Sequence, residues 1–583
     1  MKNNFAFKRV LSFATVLLML MSMMSVVSFS AAEKTTKDGF VYEVSGNKVT
    51  ITGYTGNAES ITIPEKIDGK SVVTIGDGAF DFNENIKSVS IPKSVESIGE
   101  YAFVWCESLE SVTLEKGVKT IGSDAFQGCY SLESITIPDS VESIGEDAFW
   151  GCESLESITI PEGVESIASS AFNACDALDK ITVDKNNTVY DSRENCNAII
   201  ETATNTLIAG CNNSFIPDGV ESIGEWAFAS CESLESVTIP EGVASIGEGA
   251  FYECYSLKSI AFPESLESIG YSAFAFCESL ESITIPDSVD SIGESAFAGC
   301  VSLESIVIPE GVESIGESTF SDCYSLKSIV FPKSLESICE YAFEWCESLE
   351  SITIPDSVES IGEGAFASCE SLESVTIPKS VTSIGKYAFF GCESLESITI
   401  PDSVESISEY AFAYCVSLES IVIPASVICI EEYAFVDCVN LTDIYYGGTK
   451  EQWEDIMAEY PKGTSFDELV DVTVHYEWTN ENDASADADG KSEDTKTYGK
   501  ADKKDDGDND LIIFAIIIGG AVLLVGVGIC LTVILVSKKK AKALKNAPTQ
   551  NVVPVQSDIP VQYTQPVAPV EPTAPAQQDT PNT

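Results

Sequence analysis

Histidine is almost absent from this sequence, because His475 is the only one among 583 residues. A Ser–His or Cys–His nucleophile pair therefore cannot be built along most of the chain. Apolar and polar residues alternate around His475, which predicts a final strand and places the imidazole at the surface or in a terminal cap. This scarcity of histidine argues against hydrolases that depend on such a nucleophile pair.

Basic residues are also few: 32 Lys and Arg stand against 92 Asp and Glu, for a formal net charge of −60. Nucleic-acid binding requires a basic surface, so this class of function is excluded for the main part of the chain. Anionic lipid head groups and polyanionic glycans are disfavoured as direct ligands for the same reason. Basic or cation-bridged partners remain open.

The chain instead carries a repeat of 23 residues in which phenylalanine always returns to the same place. The single longer step, from Phe172 to Phe228, is 56 residues and equals two repeats plus ten. A fixed period of this length is typical of a solenoid, in which each unit packs on its neighbours. We therefore expect a β-rich solenoid with one continuous interior and one buried phenylalanine row. The row comprises Phe80, Phe103, Phe126, Phe149, Phe172, Phe228, Phe251, Phe274, Phe297, Phe320, Phe343, Phe366, Phe389, Phe412 and Phe435.

One repeat, residues 155–175, shows how each coil is built. Residues 157–160 alternate between outward and inward positions, which is the period of a strand with one buried face. Pro161 ends this strand because it has no N–H group, and residues 164–167 form a second short extended piece. Glycine at the next position of most copies, such as Gly145 and Gly247, is expected to permit a turn before the Ala-Phe segment.

The repeat Leu-x-x-Ile-x-Ile-Pro-x-x-Val-x-x-Ile-Gly-x-x-Ala-Phe-x-x-Cys resembles the BspA-type leucine-rich repeat, and residues 132–152 are a close copy. The resemblance implies a right-handed leucine-rich-repeat coil of about 15 units over residues 58–440. It also implies surface display and attachment, commonly to host matrix proteins, host cells or other microbes. It transfers no binding site, because the shared motif is the scaffold.

Solenoids need end pieces that cover their exposed apolar faces. Residues 33–57 are interpreted as the N-terminal cap, a strand-turn-strand with Gly46-Asn47 at the turn. The C-terminal cap, residues 441–478, contains a segment similar to the family's closing segment. A long variant coil within residues 173–227 is likewise similar to an atypical coil of that family.

The two ends of the chain predict export and membrane anchoring. Residues 1–32 combine a basic start, an apolar run and small residues, which is typical of a secretory signal peptide; an uncleaved anchor is the alternative. Residues 511–536 contain no charge and are long enough to cross a membrane as one helix. Lysines follow this run, so the repeats are expected outside the cell and residues 537–583 inside, as a disordered tail. Residues 479–510 are interpreted as an acidic stalk.

A cysteine column follows the phenylalanines at a distance of three residues. Its spacing of 23 predicts a ladder of free, buried thiols inside the solenoid, and no metal site. Cys196 and Cys211, on the variant coil, are the best candidates for a disulfide. The ladder consists of Cys106, Cys129, Cys152, Cys175, Cys231, Cys254, Cys277, Cys300, Cys323, Cys346, Cys369, Cys392, Cys415 and Cys438.

Acidic residues also form columns, which are expected to line a solvated face. Weak calcium binding along these columns is an alternative, because hard cations take oxygen ligands. No cofactor is otherwise predicted. The two columns include Glu110, Glu133, Glu156, Glu235, Glu281 and Glu304, and Glu96, Glu142, Glu165 and Glu221.

Aromatic residues gather around the Ala-Phe turn, at positions that vary from copy to copy. They form a candidate partner-binding ridge, since exposed aromatics anchor interfaces. Two alternatives stay open: the rings cap the core at the turn edge, or binding uses the hydroxyl-rich strand face around Ser134 and Thr136. The ridge comprises Tyr101, Trp105, Trp150, Trp226, Tyr252, Tyr271, Phe276, Tyr341, Trp345, Tyr387, Phe390, Tyr410 and Tyr414.

These observations together predict a non-catalytic adhesion or protein-binding module on a single-pass membrane anchor. Its partner would be an extracellular protein or a cell-surface ligand, such as host matrix. A structural surface spacer without a specific ligand is the alternative. A glycan-processing enzyme is more remote, because catalytic carboxylates form a unique pair whereas these belong to repeated columns.

Overall fold

The structure is a computed structural model that describes residues 34–459, 472–479 and 495–498. The predicted signal peptide, membrane span and tail lie outside these residues. Within the described part, no helix is both long and apolar enough to cross a membrane.

The described chain is a β-solenoid of about 17 turns of 23 residues. This exceeds the predicted fifteen units because the variant coil and the closing coil each add a turn. Every regular coil has three sides: a strand of three or four residues, a strand of two residues, and the turn that carries the Ala-Phe segment.

The longer strands form the first ladder, in which neighbours pair in parallel and in register, as Ser111 does with Ser134. Most of these strands alternate exposed Ser and Thr with buried Ile or Val, as the period-2 pattern predicts, whereas Val307 and Val330 are exposed. An isolated bridge from Ser282 to Ser305 continues the ladder. The strands are Ser60–Thr62, Ser88–Ile91, Ser111–Leu114, Ser134–Thr136, Ser157–Ile160, Lys180–Val183, Ser236–Thr238, Ser259–Ala261, Ser305–Val307, Ser328–Val330, Ser351–Thr353, Ser374–Thr376, Ser397–Thr399 and Ser420–Ile423.

The short strands form the second ladder, which also pairs in parallel, as Ile121 does with Ile144. Its Ser side chains point outward and its Ile side chains point into the core. The strands are Lys70–Ile75, Ser97–Ile98, Thr120–Ile121, Ser143–Ile144, Ser166–Ile167, Ser222–Ile223, Ser245–Ile246, Ser268–Ile269, Ser291–Ile292, Ser314–Ile315, Ser337–Ile338, Ser360–Ile361, Ser383–Ile384, Ser406–Ile407 and Cys429–Ile430.

The fifteen phenylalanines are all buried, but they form two stacked rows and not the single predicted row. Rings from Phe80 to Phe172 stack at 4.8–5.6 Å between centroids. Rings from Phe228 to Phe435 stack at 5.1–5.7 Å. The expectation of one continuous interior is therefore wrong, since the buried residues form two separate clusters.

The variant coil divides the interior with an antiparallel sheet. The strands Tyr190–Asp191, Ile199–Glu201 and Thr206–Ala209 pair in this order, with a 3-10 turn at Arg193–Asn195. Successive residues of a strand point to opposite faces, so Ile199 belongs to the N-terminal core and Ile200 to the C-terminal core.

Gly210 occupies the phenylalanine position of the variant coil. Its N–H donates to the Ala227 carbonyl oxygen at 2.7 Å, as the phenylalanine N–H does in regular coils. A Cβ on Gly210 would lie 2.1 Å from Cε1 of Phe228. The Phe228 ring therefore fills the space of the missing side chain, and this ends the first row.

Different elements cover the two ends. The hairpin Phe40–Ser45 and Lys48–Tyr54 precedes the second ladder, with the short strands Lys34–Thr35 and Lys66–Ile67 beside it. At the other end, Asp443–Tyr446 continues the first ladder.

The helix Lys450–Glu459 follows and buries Trp453 completely against Tyr446, at 5.1 Å between rings. Thr449 caps it, because Thr449 Oγ1 accepts the Gln452 N–H at 3.4 Å while Gln452 Oε1 accepts the Thr449 N–H. The strand Val472–His475 then pairs with Asp443–Tyr446, and Thr495–Tyr498 pairs antiparallel with it. These last four residues belong to a sheet, whereas the sequence predicted a stalk there.

Candidate functional site

The Ala-Phe turn has an unusual backbone, because two of its positions are left-handed. The residue two after the phenylalanine has a positive φ in all fifteen coils, and the residue two before it has one in fourteen. Glycine adopts this conformation without strain, and it occurs there in some coils, for example at Gly128 and Gly249. Other coils place a bulky aromatic at one of these two positions, such as Trp105 after the phenylalanine at φ 55° and Trp226 before it at φ 57°.

The glycines singled out from the sequence act differently from what we expected. Gly145 and Gly247 do not have positive φ. A Cβ on Gly145 would instead lie 2.5 Å from the Ser123 backbone nitrogen, and one on Gly247 would lie 2.8 Å from that of Glu225. These positions favour glycine because adjacent coils approach each other closely there.

Four predicted ridge residues pack against a glycine of the next coil. A Cβ on that glycine would lie 2.4–2.6 Å from the ring, which real Cβ atoms do not do. This contact supports the capping alternative for these four rings, although Phe276 is also 36% exposed. The pairs are Trp105 with Gly128, Trp226 with Gly249, Phe276 with Gly299, and Tyr341 with Gly364.

Nine of the thirteen ridge residues gather into three clusters of ring contacts. In the first, Trp105 contacts Tyr130 and Trp150 at 5.6 and 6.4 Å between ring centroids. In the middle one, Tyr252 contacts Trp226 at 5.4 Å and Phe276 at 5.6 Å.

The last cluster is a stack of three tyrosines. Tyr410 stacks on Tyr387 and on Tyr433, at 5.0 Å each. Phe390 joins it through Tyr387 at 5.8 Å and Tyr414 at 5.1 Å. Tyr130 was not among the predicted turn aromatics, although its place beside the turn is readable from the repeat.

Exposure separates the thirteen ridge residues into two groups. Tyr101, Tyr271, Phe276 and Trp345 are 36–48% exposed. The other nine are half-buried, so most of each ring already packs within the protein. This second group comprises Trp105, Trp150, Trp226, Tyr252, Tyr341, Tyr387, Phe390, Tyr410 and Tyr414.

Acidic groups surround the turn aromatics. Tyr341 donates its hydroxyl hydrogen to Glu363 Oε1 at 2.8 Å. Burial and nearby Asp322 raise the pKa of Glu344 to about 7. Burial and the carboxylate of Asp147 likewise raise the pKa of Asp124 to about 6. The turn surface therefore holds carboxylates in places that favour their neutral form.

The cysteine column forms a ladder of thiol hydrogen bonds. All fourteen side chains are buried, and in thirteen the Sγ–H donates to the phenylalanine carbonyl oxygen of the preceding coil at 3.0–3.4 Å. Burial raises the pKa of Cys106, Cys254 and Cys300 to about 12. The thiols stay protonated near neutral pH, so they are poor nucleophiles and poor metal ligands.

Cys196 and Cys211 do not form the candidate disulfide. They lie in different core clusters, on either side of the variant sheet. Two other thiols escaped the sequence analysis: Cys339 is partly exposed and Cys429 is exposed. Both stand where the repeat has glycine or serine, and this departure from the motif was the available signal.

The acidic columns line an exposed face of the solenoid. Their backbones bond from coil to coil, as Glu133 N–H does to the Glu110 carbonyl oxygen at 3.2 Å. Lysines interrupt them, and Lys327 pairs with Glu304 at 3.1 Å. In the described residues, no three His, Cys, Asp or Glu side chains lie close enough to hold a metal ion, so the calcium hypothesis gains no support there.

The strand face carries paired hydroxyls, and His475 lies in the closing region. The Oγ1 atoms of Thr159 and Thr182, on adjacent strands of the first ladder, are 2.9 Å apart. His475 Nε2 lies 2.7 Å from Asp443 Oδ1, and its ring stacks on Tyr445 at 4.8 Å.

In-register parallel coils around two stacked rows of buried phenylalanines define a leucine-rich-repeat solenoid. The BspA-type leucine-rich repeat model matches in six copies, over residues 73–199, 208–327 and 313–442. These matches cover more than half of the chain, which therefore belongs to the BspA-type leucine-rich repeat family.

Several solved structures are similar to this chain. A leucine-rich repeat protein from Bacteroides ovatus is 30% identical, with a TM-score of 0.46, over 76% of this chain and 99% of that one. One from Eubacterium ventriosum is 25% identical, with a TM-score of 0.53, over 62% and 98%. A leucine rich cell surface protein from Faecalibacterium prausnitzii is 34% identical, with a TM-score of 0.38, over 52% and 95%. No curated protein matches the sequence.

Proposed function

We propose that this protein is a non-catalytic adhesion module that binds other proteins through the turn side of its solenoid. The family supports this proposal, since leucine-rich-repeat scaffolds commonly present a binding surface on a fixed interior. In this chain the buried positions are nearly constant from coil to coil, whereas the turn positions vary. Variation at the surface is what a recognition site requires.

The observation that carries the proposal is the placement of exposed aromatics on a strained backbone. Tyr101, Phe276 and Trp345 have φ values of 56–61°, where glycine is the favoured residue. Each is more than a third exposed, so a ring on a left-handed backbone is presented to the solvent. Strained conformations of this kind concentrate at binding sites, where they hold side chains in fixed positions.

The two ends of the sequence support display on the cell surface. A signal peptide at residues 1–32 and an apolar run at 511–536 would export the repeats and anchor the chain by one span. The C-terminus would then lie in the cytoplasm. The partner would be an extracellular protein or a cell-surface ligand, such as a host matrix protein.

A binding assay with the full-length protein tests the proposal. We would measure binding to immobilised purified matrix proteins and to intact cells. The test variant changes the four exposed aromatics Tyr101, Tyr271, Phe276 and Trp345 to Ser. The control variant changes Ser134, Thr136, Ser157 and Thr159 of the strand face to Ala.

Saturable binding that the aromatic variant loses and the control keeps would support the turn surface. The opposite pattern would move the site to the strand face. Absence of saturable binding to every ligand would favour a structural spacer.

A further inference from the structure

The middle aromatic cluster belongs to a larger patch that two more tyrosines complete. Tyr252 lies between the rings of Trp226 and Phe276. Besides burial, Tyr271 raises the pKa of Tyr252, and Tyr252 raises the pKa of Tyr255, so both of these tyrosines lie near it. Tyr271 is 48% exposed and Phe276 is 36% exposed. These five aromatics, from three consecutive coils, are called the middle patch below.

Carboxylates border the middle patch. Glu253 lies next to both Tyr252 and Tyr255, and Glu232 and Glu278 act on Tyr255 as well. Burial, followed by these charges, raises the pKa of Tyr255 to about 12. The charged neighbours that act on Tyr252 and Tyr255 are therefore all acidic.

The tyrosine stack of the last cluster differs in this respect. Lys386 lies beside Tyr387 and pairs with Glu409 at 2.8 Å. A cation of the protein itself thus occupies the surroundings of that stack. The middle patch offers the same kind of rings and carboxylates without such a cation beside Tyr252 or Tyr255.

The backbone holds the middle patch in place. Trp226, Glu253 and Phe276 have φ values of 56–60°, and the rings of Trp226 and Phe276 pack on Gly249 and Gly299. Fixed side chains lose little entropy on binding, so the patch is organised before a partner arrives.

We propose that the middle patch binds a lysine- or arginine-bearing segment of the partner protein. This inference rests on the proposed function and names the chemistry of its partner. Aromatic faces attract ammonium and guanidinium groups, and nearby carboxylates accept their hydrogen bonds. The net charge of −60 also speeds the approach of a basic partner.

A matched pair of variants separates this site from diffuse charge attraction. A fluorescein-labelled peptide of six arginines spaced by glycines would be titrated with the full-length protein, and its anisotropy measured at 150 and 500 mM salt. The patch variant is Tyr271→Ser with Glu278→Gln. The control is Phe82→Ser with Glu84→Gln, which removes an exposed ring outside the ridge, 54% exposed against 48% for Tyr271, and one exposed acid.

We expect the patch variant to weaken binding by about tenfold and the control by less than about twofold, since a desolvated cation–π contact contributes more than a surface charge. Equal weakening by both variants, or no weakening by the patch variant, would overturn the proposal. Thermal unfolding of both variants would verify that each is folded.

Two further arms distinguish this proposal from the proposed function. If a neutral oligosaccharide or an anionic vesicle bound with the same dependence on Tyr271, the partner would not be a basic protein segment. The variant with four aromatics changed to Ser could lose binding to a matrix protein or to cells while the patch variant binds the arginine peptide normally. That result would support the adhesion proposal and contradict the proposal of a basic partner segment.

Discussion

The indole of Trp226 packs so closely against Gly249 of the next coil that a Cβ there would lie 2.4 Å from ring atom Cε3. Gly249 also has a φ of 55°. Two constraints therefore favour glycine at position 249: the neighbouring ring leaves no space for a Cβ, and the backbone is left-handed. The same pairing of ring and glycine recurs at three other places on the turn side.

We expect Gly249→Ala to destabilise the protein by about 2–4 kcal/mol, because overpacking adds to the left-handed backbone cost. Gly46→Ala is the matched control, since Gly46 has a φ of 59° and nothing within 4 Å of the new Cβ. That change should cost only about 1 kcal/mol. Denaturant unfolding of the full-length variants measures both, and equal losses would show that the Trp226 contact is unimportant.

Gly210→Ala should also destabilise the protein, for a purely steric reason. Its Cβ would lie 2.1 Å from the ring of Phe228, which is completely buried and cannot move aside freely. We expect a loss of about 2–3 kcal/mol. Gly53→Ala, where the nearest atom is Val41 Cβ at 3.4 Å, should change stability little. A mild effect of Gly210→Ala would argue against the described packing of the variant coil.

The cysteine ladder should resist alkylation in the native protein. Burial keeps these thiols protonated, whereas Cys429 is exposed and Cys339 is partly exposed. We expect maleimide to modify Cys429 first, Cys339 more slowly and the ladder only after unfolding. Peptide mapping by mass spectrometry measures this order, with Cys429→Ser as the control. Rapid modification of Cys300 would contradict it.

The free energy of unfolding should increase as the pH is lowered from about 8 to about 5. Burial raises the folded-state pKa of Glu344 to about 7 and those of Asp124 and Asp176 to about 6, above their values in the unfolded chain. A raised carboxyl pKa contributes stability that is complete below the unfolded value and is lost as pH rises through the folded value.

Melting temperatures at several pH values test this dependence. Glu344→Gln should raise the melting temperature at pH 8 and flatten the profile, because the variant side chain never becomes charged. Glu165→Gln, at an exposed column position, is the control and should leave the shape of the profile intact. A melting temperature that decreased steadily as the pH was lowered from 8 to 6 would contradict the expectation.

The sequence predicted much of the scaffold, because a 23-residue period constrains each coil in the same way. The strand Ser157–Ile160, the short strand Ser166–Ile167 and the burial of Phe172 all followed from apolar spacing and from Pro161. The separation of the core could not be predicted. It depends on Gly210 yielding its space to Phe228, a contact between residues of two different coils.

The candidate site divides in the same way. The alignment of the repeats was enough to predict that the aromatics lie on the turn side, since equivalent positions in successive coils stack. It did not show which rings are exposed, such as Tyr271, and which rest on a glycine, such as Trp226. Tyr101 and Trp226 both occupy the left-handed position two residues before the phenylalanine, so the distinction depends on what the next coil places against each ring.

The amino-acid sequence by itself determined the family, the solenoid, the buried phenylalanine and cysteine positions and the acidic surface, because a repeated local pattern has one way to bury its apolar side. Only the tertiary structure decided that the interior is split, that the thiols bond to phenylalanine carbonyls and that the aromatics form three clusters. These features arise between neighbouring coils, where backbone approach and ring packing are set by geometry that the spacing of residues does not record.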